Sequence, residues 1–524
     1  MANHEQHDEL RIHHGCCGCN TCGEGRPVGV TRRDFIKAGS VALGGAAMTG
    51  LTWSALQAAE AEASPSPARK ELLVQSLLTY DAPRPRPKWS WRNWGGVHGQ
   101  QAAEKELARI RAEQKRIGEG ADFPVKLLPP VAVRNPAEAE KAIAAAKADV
   151  VVIYAAGGWQ NIFDVAAKSG KYVIFFVRHR SGPVSLWYEI VSPRYLRRHT
   201  DELAEGPMGF EDVVVDSGEE LSWRLRALCG LKNTLGAGIV AIGGPGGWGP
   251  GGRGAPDRAR QTWKLDIHTV DYKELARLIQ AARADEAAVK SAKDRAAKYL
   301  DDKTVKLETK KQFVENCFLL ERVFLGLMAK AGARAITVNS CMGTIIPISE
   351  TTACLTLTLL NDAGYPAFCE SDFVVIPAGL LLEAISGRPQ FLHNPTYPHG
   401  GVITLAHCSA PRKMDGKTLE PVRIVTHYES DYGAAPKVEM RKGQRLTSII
   451  PDFAGKRWSG LASEIVDAPF LPICRSQIDV AYKVSDATLI ENMRGFHWDT
   501  IYGDYLREVG YALSKTPIEW QVLS

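Results

Sequence analysis

The stretch FCESDFVVIPAGLLLEAISGRPQFLHNPTYPHGGVITLAHCSAPRK, residues 368–413, carries the strongest structural and chemical signals in the chain. An apolar run at 366–372 predicts a strand, and side chains on a strand alternate between its two faces. Glu370 and Asp372 are therefore expected on one face at the strand's end. A helical apolar segment follows, and Gly387-Arg388-Pro389 is expected to end it. A second apolar run, at 401–407, predicts a strand that ends at His407, at the kind of strand edge where α/β enzymes gather their chemistry. Two carboxylates and an imidazole together predict a site for a divalent metal ion.

The composition is that of an ordinary globular protein. The chain has 524 residues, of which 45% are hydrophobic and 23% are charged, so it is long enough for several domains. The formal net charge of +5 is small for this length and gives no electrostatic reason to expect a nucleic-acid partner. The 11 cysteines are unevenly placed, unlike the disulfide framework of a small secreted protein.

The N-terminal residues 1–63 have the features of a targeting segment. Arg32 and Arg33 precede a weakly apolar, Gly- and Ala-rich run at 38–56, and a small-x-small motif follows at 61–63. This pattern resembles a twin-arginine export signal, which predicts passage through the twin-arginine translocase and a periplasmic or otherwise exported protein. The alternative is an uncleaved membrane tether, since about 20 apolar residues can span a bilayer.

Four cysteines lie ahead of this signal. Cys16, Cys19 and Cys22 follow C-x-x-C-x-x-C spacing, and Cys17 lies between the first two. Thiolates at this spacing can hold zinc or an iron–sulfur cluster. The other interpretation is a leader that is discarded with the signal, because no fourth ligand or second cysteine pair follows.

The remaining chain predicts an α/β protein with three domains. Buried apolar runs that alternate with helical stretches indicate parallel sheets in an N-terminal α/β domain at 64–237 and a second α/β domain at 238–395. Beyond residue 400 short β runs are separated by turn residues. They indicate a β-rich C-terminal domain at 396–524.

A Gly-rich loop follows the predicted strand at 238–243. Its sequence GPGGWG, residues 244–249, matches G-x-G-x-x-G. A dinucleotide site would also need a helix directly after the loop and an acid at the end of the next strand. Asp266 is a candidate acid, but prolines and glycines interrupt the expected helix. An NAD site and a mobile loop beside a substrate pocket both remain open.

Structural explanations compete with functional ones at several positions. Glu370 also fits a helix cap or ion-pair partner, and His407 fits a buried structural histidine. Cys369 and Cys408 fit small buried residues. His393 lies in a Pro-rich segment and is expected in solvent.

Four motifs beyond residue 338 carry a resemblance to a known family. They are NSCMG at 339–343, CESD at 369–372 with SGRP at 386–389, AHC at 406–408 with HYES at 427–430, and HW at 497–498 with YGDYLRE at 502–508. In their order and spacing they resemble the L-fucose and L-arabinose isomerase superfamily, most closely the fucose isomerase branch. The resemblance covers roughly residues 300–524.

The resemblance implies a third domain that mixes sheet with a β-barrel, and sites shared between subunits of a homo-oligomer. It also implies a metal, usually manganese, held by a glutamate, an aspartate and a histidine. Asp372 matches the aspartate and His497 the histidine. The glutamate has no counterpart, because its segment here is CMGT at 341–344. Glu370 and His407 are therefore the further ligand candidates, and Glu370 and Asp372 the catalytic candidates.

The activity that this resemblance implies is aldose–ketose isomerisation of a small sugar through an enediol. Two alternatives stay open. One is a non-catalytic carbohydrate-binding protein on the same scaffold, which the missing glutamate favours. The other is an exported NAD-dependent oxidoreductase, which depends on the Gly-rich loop.

Overall fold

The computed structural model describes residues 47–62, 68–92, 94–158, 160–182, 195–197 and 208–524. The twin arginines and the four leading cysteines lie outside the described residues. The first described element is helix α1 (Trp53–Glu62).

The first domain is a six-stranded parallel sheet flanked by helices. Its strands are β1 (Leu72–Thr79), β2 (Val125–Leu127), β3 (Val131–Val133), β4 (Val150–Ala155), β5 (Tyr172–Val177) and β6 (Val213–Val215). Its helices are α2 (Gln100–Gly120), α3 (Pro136–Ala146) and α4 (Gln160–Ala167). The strand order is β2-β1-β4-β5-β6, and β3 also pairs with β1. Strand β4 is buried along its whole length, as a parallel strand covered on both faces should be.

The second domain is built on a four-stranded parallel sheet in the order β11-β10-β7-β8. These strands are β7 (Gly238–Ile242), β8 (Asp266–Val270), β10 (Ala335–Val338) and β11 (Ala367–Cys369). The helices around it are α5 (Gly218–Thr234), α6 (Gly249–Gly252), α7 (Ala255–Trp263), α8 (Tyr272–Ala284), α9 (Glu286–Leu300), α10 (Lys311–Ala331), α11 (Cys341–Ser349), α12 (Cys354–Asp362) and α13 (Ile376–Ser386). Helix α13 ends where the sequence predicts, because Gly387 adopts the left-handed conformation that closes a helix.

The third domain contains a closed antiparallel barrel. Its strands are β12 (Phe391–Pro395), β13 (Val402–His407), β16 (Arg445–Pro451), β17 (Arg457–Asp467), β18 (Ser476–Tyr482) and β19 (Trp498–Tyr502). They pair in the order β16-β19-β12-β13-β18-β17, and β17 pairs back onto β16. Strand β20 (Glu519–Leu523) adds to β17, and helices α14 (Asp486–Asn492) and α15 (Leu506–Leu513) complete the domain.

A small sheet joins the second and third domains. Strands β14 (Val422–Val425) and β15 (Ala435–Val438) form a hairpin, and β9 (Val305–Leu307) pairs in parallel with β14. The predicted fold class, two parallel-sheet α/β domains followed by a β-rich, barrel-like C-terminal domain, is confirmed. The barrel begins at Phe391, slightly before the boundary predicted at 395/396.

Part of the predicted targeting segment packs against the second domain. Met48 N–H donates to the carbonyl of Thr269 at 2.9 Å, beside an isolated parallel bridge between Ala47 and the same strand. Helix α1 then lies against α10, where Leu56 is fully buried. Residues 47–62 are therefore part of the folded unit in this structure.

No single helix among the described residues is long and apolar enough to cross a membrane. The helices α11 and α12 meet such a criterion only when they are taken together, and they are bent by 88° to each other.

Candidate functional site

The predicted site residues meet where the second domain contacts the barrel. Strand β11 ends at Cys369, and Glu370 and Asp372 follow it at the carboxyl edge of the parallel sheet. The barrel contributes His407, the last residue of β13, and His497, which immediately precedes β19. All four predicted residues thus come together, from segments that are up to 127 positions apart in the sequence.

The strand predicted at 366–372 is shorter in the structure, so the alternation expected for Glu370 and Asp372 is wrong. Glu370 has φ of 65° and Ser371 has φ of 46°, both in the left-handed region. Two such residues without glycine are uncommon, and they turn the chain sharply at the strand's end. This turn, and not the alternation of a strand, brings both carboxylates to the site.

Asp372 is buried and holds His497. Its Oδ2 lies 2.8 Å from His497 Nδ1, while Oδ1 accepts hydrogen bonds from the backbone N–H groups of Val374 at 3.1 Å and Trp248 at 3.4 Å. With Nδ1 donating to Asp372, the other nitrogen of His497 is left facing the site. His497 Nε2 lies 3.4 Å from Glu370 Oε2 and has no hydrogen-bond partner of good geometry.

His407 approaches the same carboxylate from the other side. Its Nε2 lies 3.6 Å from Glu370 Oε1 and is also buried without a hydrogen-bond partner. Its Nδ1 lies 3.3 Å from Ser409 Oγ. In the tautomer in which Nδ1–H donates to Ser409, Nε2 keeps its lone pair. Both histidines therefore present Nε2 to Glu370 and use Nδ1 for a protein partner.

Trp248 fixes the remaining side of Glu370. Its indole N–H donates to Glu370 Oε2 at 2.6 Å, and its ring stacks on Phe496 with centroids 4.2 Å apart. The Glu370 side chain is 20% exposed, whereas the side chains of Asp372 and His497 are fully buried. Access from solvent to the site therefore passes along Glu370.

Glu370 and His497 shift each other's protonation. Burial raises the pKa of Glu370, but the nearby imidazoles of His407 and His497 outweigh burial and hold that pKa far below its usual range. Burial lowers the pKa of His497, but Asp372 and Glu370 raise it to about 9. In the absence of a bound cation, Glu370 is ionised and His497 is protonated at neutral pH.

A divalent cation fits these donors. A cation site needs buried lone pairs and negative charge. Here two buried histidine nitrogens without hydrogen-bond partners each face a carboxylate oxygen of Glu370. Within the described part of the chain, the ligand atoms of Cys369, Glu370 and His407 form a group in which all lie within 4.8 Å of one another. His497 faces Glu370 from outside this group, and Asp372 already accepts three hydrogen bonds.

Three contributors to the site were not predicted as functional. Cys369 was expected to be only a small buried residue, yet its sulfur belongs to the compact ligand group. Trp248 was considered only as part of a Gly-rich loop. His393 was expected in solvent, but it is fully buried on β12, and burial followed by the nearby charges of His407 and His497 lowers its pKa well below the usual value. The two apolar residues before His393, Phe391 and Leu392, are buried with it, and this short apolar run was the missed signal.

A second thiol group borders the site. Cys408, next to His407, packs against Cys354 and the half-buried Cys474. Hydrogen bonds from these two thiols hold the pKa of Cys408 well below its usual range, and His427 adds to the effect. The motif residue His427 thus contacts Cys408 and lies outside the compact ligand group.

The Gly-rich loop is attached to the site turn. Gly246 N–H donates to the carbonyl of Ser371 at 3.2 Å, and Phe373 N–H donates to the carbonyl of Gly246 at 3.1 Å. The first contact occupies a loop N–H group that a pyrophosphate would need. Asp266 is the first residue of β8 and not the last, so it does not meet the requirement for a ribose-binding acid.

A cavity of about 520 Å³ lies elsewhere, in the first domain. Tyr154, Phe176 and Asp216, which lie at or beside the carboxyl ends of β4, β5 and β6, line it together with α2 and α5. None of the four predicted site residues lines this cavity.

The comparisons with known proteins leave the family open. No family model matches the chain, and no curated protein matches it. A solved structure titled "Complex structure of VinN with L-aspartate" aligns with 71% of this chain and 86% of its own, at 15% sequence identity and a TM-score of 0.12. A likeness at this level carries no argument about fold or function.

Proposed function

We propose that the chain is a metal-dependent, sugar-isomerase-like enzyme that interconverts a small aldose and ketose outside the cytoplasm. One observation carries the metal-dependent part of the proposal. His407 and His497 both direct an unpartnered Nε2 at Glu370, while a second protein group holds each Nδ1. Histidines that ligate metals are held in this way. The motifs between 339 and 508 supply the substrate class.

Glu370 and His407 are the groups that would hold the ion, and His497 faces Glu370 beside them. A divalent ion, when bound, polarises a carbonyl oxygen and stabilises developing negative charge. Asp372 orients His497 from behind, because its Oδ2 accepts the Nδ1 hydrogen bond. The direct ligand role that the resemblance implies for Asp372 would require it to give up that bond.

The same carboxylate is the proton acceptor that a substrate can reach. Proton transfer between adjacent sugar carbons needs a base within hydrogen-bond reach of both carbons. Glu370 is the partly exposed acid of the group, and Trp248 N–H orients its Oε2. Glu370 therefore serves either as a ligand or as this base, and its amide variant decides between the two roles.

A non-catalytic sugar-binding role is the second candidate. One observation favours it: the segment 341–344, where the family has its glutamate, forms the first turn of α11 and contains no acid. A binding protein on this scaffold would hold a sugar without turnover.

Metal analysis combined with a sugar panel tests both candidates. We expect purified protein to contain about one divalent ion per chain and His407→Ala to lose it, because a nitrogen facing Glu370 is removed. His399→Ala is the control, since His399 is an exposed histidine whose Nδ1 contacts only a backbone carbonyl. Metal without turnover of any aldose in the panel would favour the binding role. Full metal content in His407→Ala would place the ion elsewhere.

Glu370→Gln separates the two roles of the carboxylate. If Glu370 is the base, the variant keeps its metal and loses turnover. If Glu370 is a ligand, the variant loses both, because a neutral amide is a poor substitute for an anionic ligand.

A further inference from the structure

We infer that the ion at this site is held by a cysteine thiolate together with Glu370 and His407, and that the site selects zinc over manganese. The inference concerns the same site as the proposed function and rests only on its metal-binding part. It departs from the oxygen-rich manganese site that the family resemblance implies, because the donor atoms that lie together here include a sulfur and a nitrogen.

The backbone turn makes this donor set possible. Side chains of consecutive residues on an extended strand point to opposite faces, so Cys369 and Glu370 would normally diverge. The left-handed conformations of Glu370 and Ser371 reverse the chain directly after Cys369. As a result the Cys369 sulfur, a Glu370 oxygen and a His407 nitrogen all lie within 4.8 Å of one another.

Distances around Glu370 suit a tetrahedral ion. Ligand atoms bound about 2.0–2.3 Å from a tetrahedral zinc ion lie about 3.3–3.8 Å from each other. The observed separation between two of the proposed ligand atoms, His407 Nε2 and Glu370 Oε1, is 3.6 Å. An octahedral ion with bonds of about 2.0–2.2 Å would draw neighbouring ligands to about 2.8–3.1 Å.

The chemical character of the donors agrees with the geometry. Carboxylate, carbonyl and water oxygens suit manganese, whereas thiolate and imidazole suit zinc. Asp372, the oxygen donor that the resemblance adds, is occupied by His497 Nδ1 and two backbone N–H groups.

Three protein ligands leave a fourth position open. Catalytic zinc sites have this arrangement, with water or substrate in the fourth position. Glu370 is the partly exposed member of the group, so water or substrate would reach the fourth position along Glu370. Ser409 supports His407 from behind, where its hydroxyl oxygen can accept the Nδ1–H bond.

Cobalt substitution gives a readout that does not depend on activity. Purified full-length protein, stripped of metal and loaded with Co²⁺, should show the near-ultraviolet charge-transfer band of a cobalt thiolate. Cys369→Ser should lose this band and bind Zn²⁺ at least about 10- to 100-fold more weakly, the loss that even an outer-shell partner can cause. Cys229→Ser is the control, because Cys229 is a buried thiol of α5 that donates to the carbonyl of Pro124 at 3.5 Å.

The metal preference is tested by comparing the ratio of bound zinc to manganese in the wild type and in the variants. Zinc binds most nitrogen, oxygen and sulfur sites more tightly than manganese does, so a preference in the wild type alone proves little. We expect Cys369→Ser to reduce the ratio of bound zinc to manganese, measured by equilibrium dialysis and elemental analysis, while Cys229→Ser leaves it unchanged.

The outcomes separate this inference from the proposed function. A wild-type cobalt spectrum without a thiolate band overturns the inference even if Cys369→Ser fails to fold. An unchanged zinc-to-manganese ratio in folded Cys369→Ser overturns it as well. A thiolate band that Cys369→Ser removes, in a protein that turns over no sugar, supports the inference and rejects the isomerase. Sugar turnover with manganese and no thiolate band supports the isomerase and overturns the inference.

Discussion

Leu56→Ala tests whether the segment before the predicted cleavage motif belongs to the folded protein. Leu56 is fully buried between α1 and α10. At the contact, a β-carbon on Gly326 would lie 2.8 Å from the Leu56 β-carbon, so the two helices approach closely. Trp53 and Gln57 tie the same helix to Asp285, with N–H donors 2.8 Å and 2.7 Å from its Oδ2.

The expected cost follows from this packing. Leu→Ala substitutions in cores cost about 2–5 kcal/mol, and the cost rises with the volume of the cavity that remains. Gly326 has no side chain that could move into the space. We therefore expect the upper half of the range, about 3–5 kcal/mol, for the free energy of unfolding of the second domain.

Urea unfolding and hydrogen exchange of helix α10 measure this effect in protein whose N-terminus has been verified by mass spectrometry. Ser54→Ala is the control, because Ser54 is an exposed residue of the same helix and should change stability by less than about 0.5 kcal/mol. If Leu56→Ala behaves like Ser54→Ala, then α1 does not contribute to the fold and the predicted leader can be lost without cost.

Three further predictions concern pH, export and assembly. Burial raises the pKa of Asp362 from 3.8 to about 7. The folded protein therefore holds a proton there that the unfolded chain releases near pH 4, and stability falls as pH rises through this window, by up to about 4 kcal/mol. Asp362→Asn should accordingly raise the melting temperature at pH 8 and have little effect on it at pH 3.5. An equal change of the melting temperature at both pH values would contradict the raised pKa of Asp362. Arg32→Lys combined with Arg33→Lys should leave the precursor in the cytoplasm, and cell fractionation that finds it in the envelope would contradict the export prediction. Light scattering should show a homo-oligomer, whereas a strict monomer would remove the expectation of shared sites.

The predicted strand at 401–407 shows where sequence reasoning succeeded. A run of buried apolar residues that ends at a histidine predicts both the strand and the position of His407 at its end, and both are observed within one residue. The Gly-Arg-Pro stop after α13 is also observed, because Gly387 closes the helix. In each case neighbouring residues supply the whole physical cause.

The turn at Glu370 and Ser371 shows where it failed. Left-handed backbone at two residues that are not glycine has no local signal, since their intrinsic preference is for other conformations. The contacts that hold this turn come from distant segments, through Gly246 and Trp248 on the Gly-rich loop. The motif match at 244–249 suggested a nucleotide site because local sequence does not show these distant contacts. In the structure the loop contacts the turn at Glu370 and Ser371.

The fold class and the order of the domains can be read from hydrophobic periodicity, because it depends on which face of each element must be buried. Strand-end positions indicated Glu370, Asp372 and His407, and the family resemblance added His497. What each residue does at the site follows from how the domains pack. That packing paired Asp372 with His497, added Cys369 and Trp248, and buried His393. Hydrogen-bond partners and ligand distances depend on how the parallel sheet and the barrel pack together, and no local stretch of sequence contains that information.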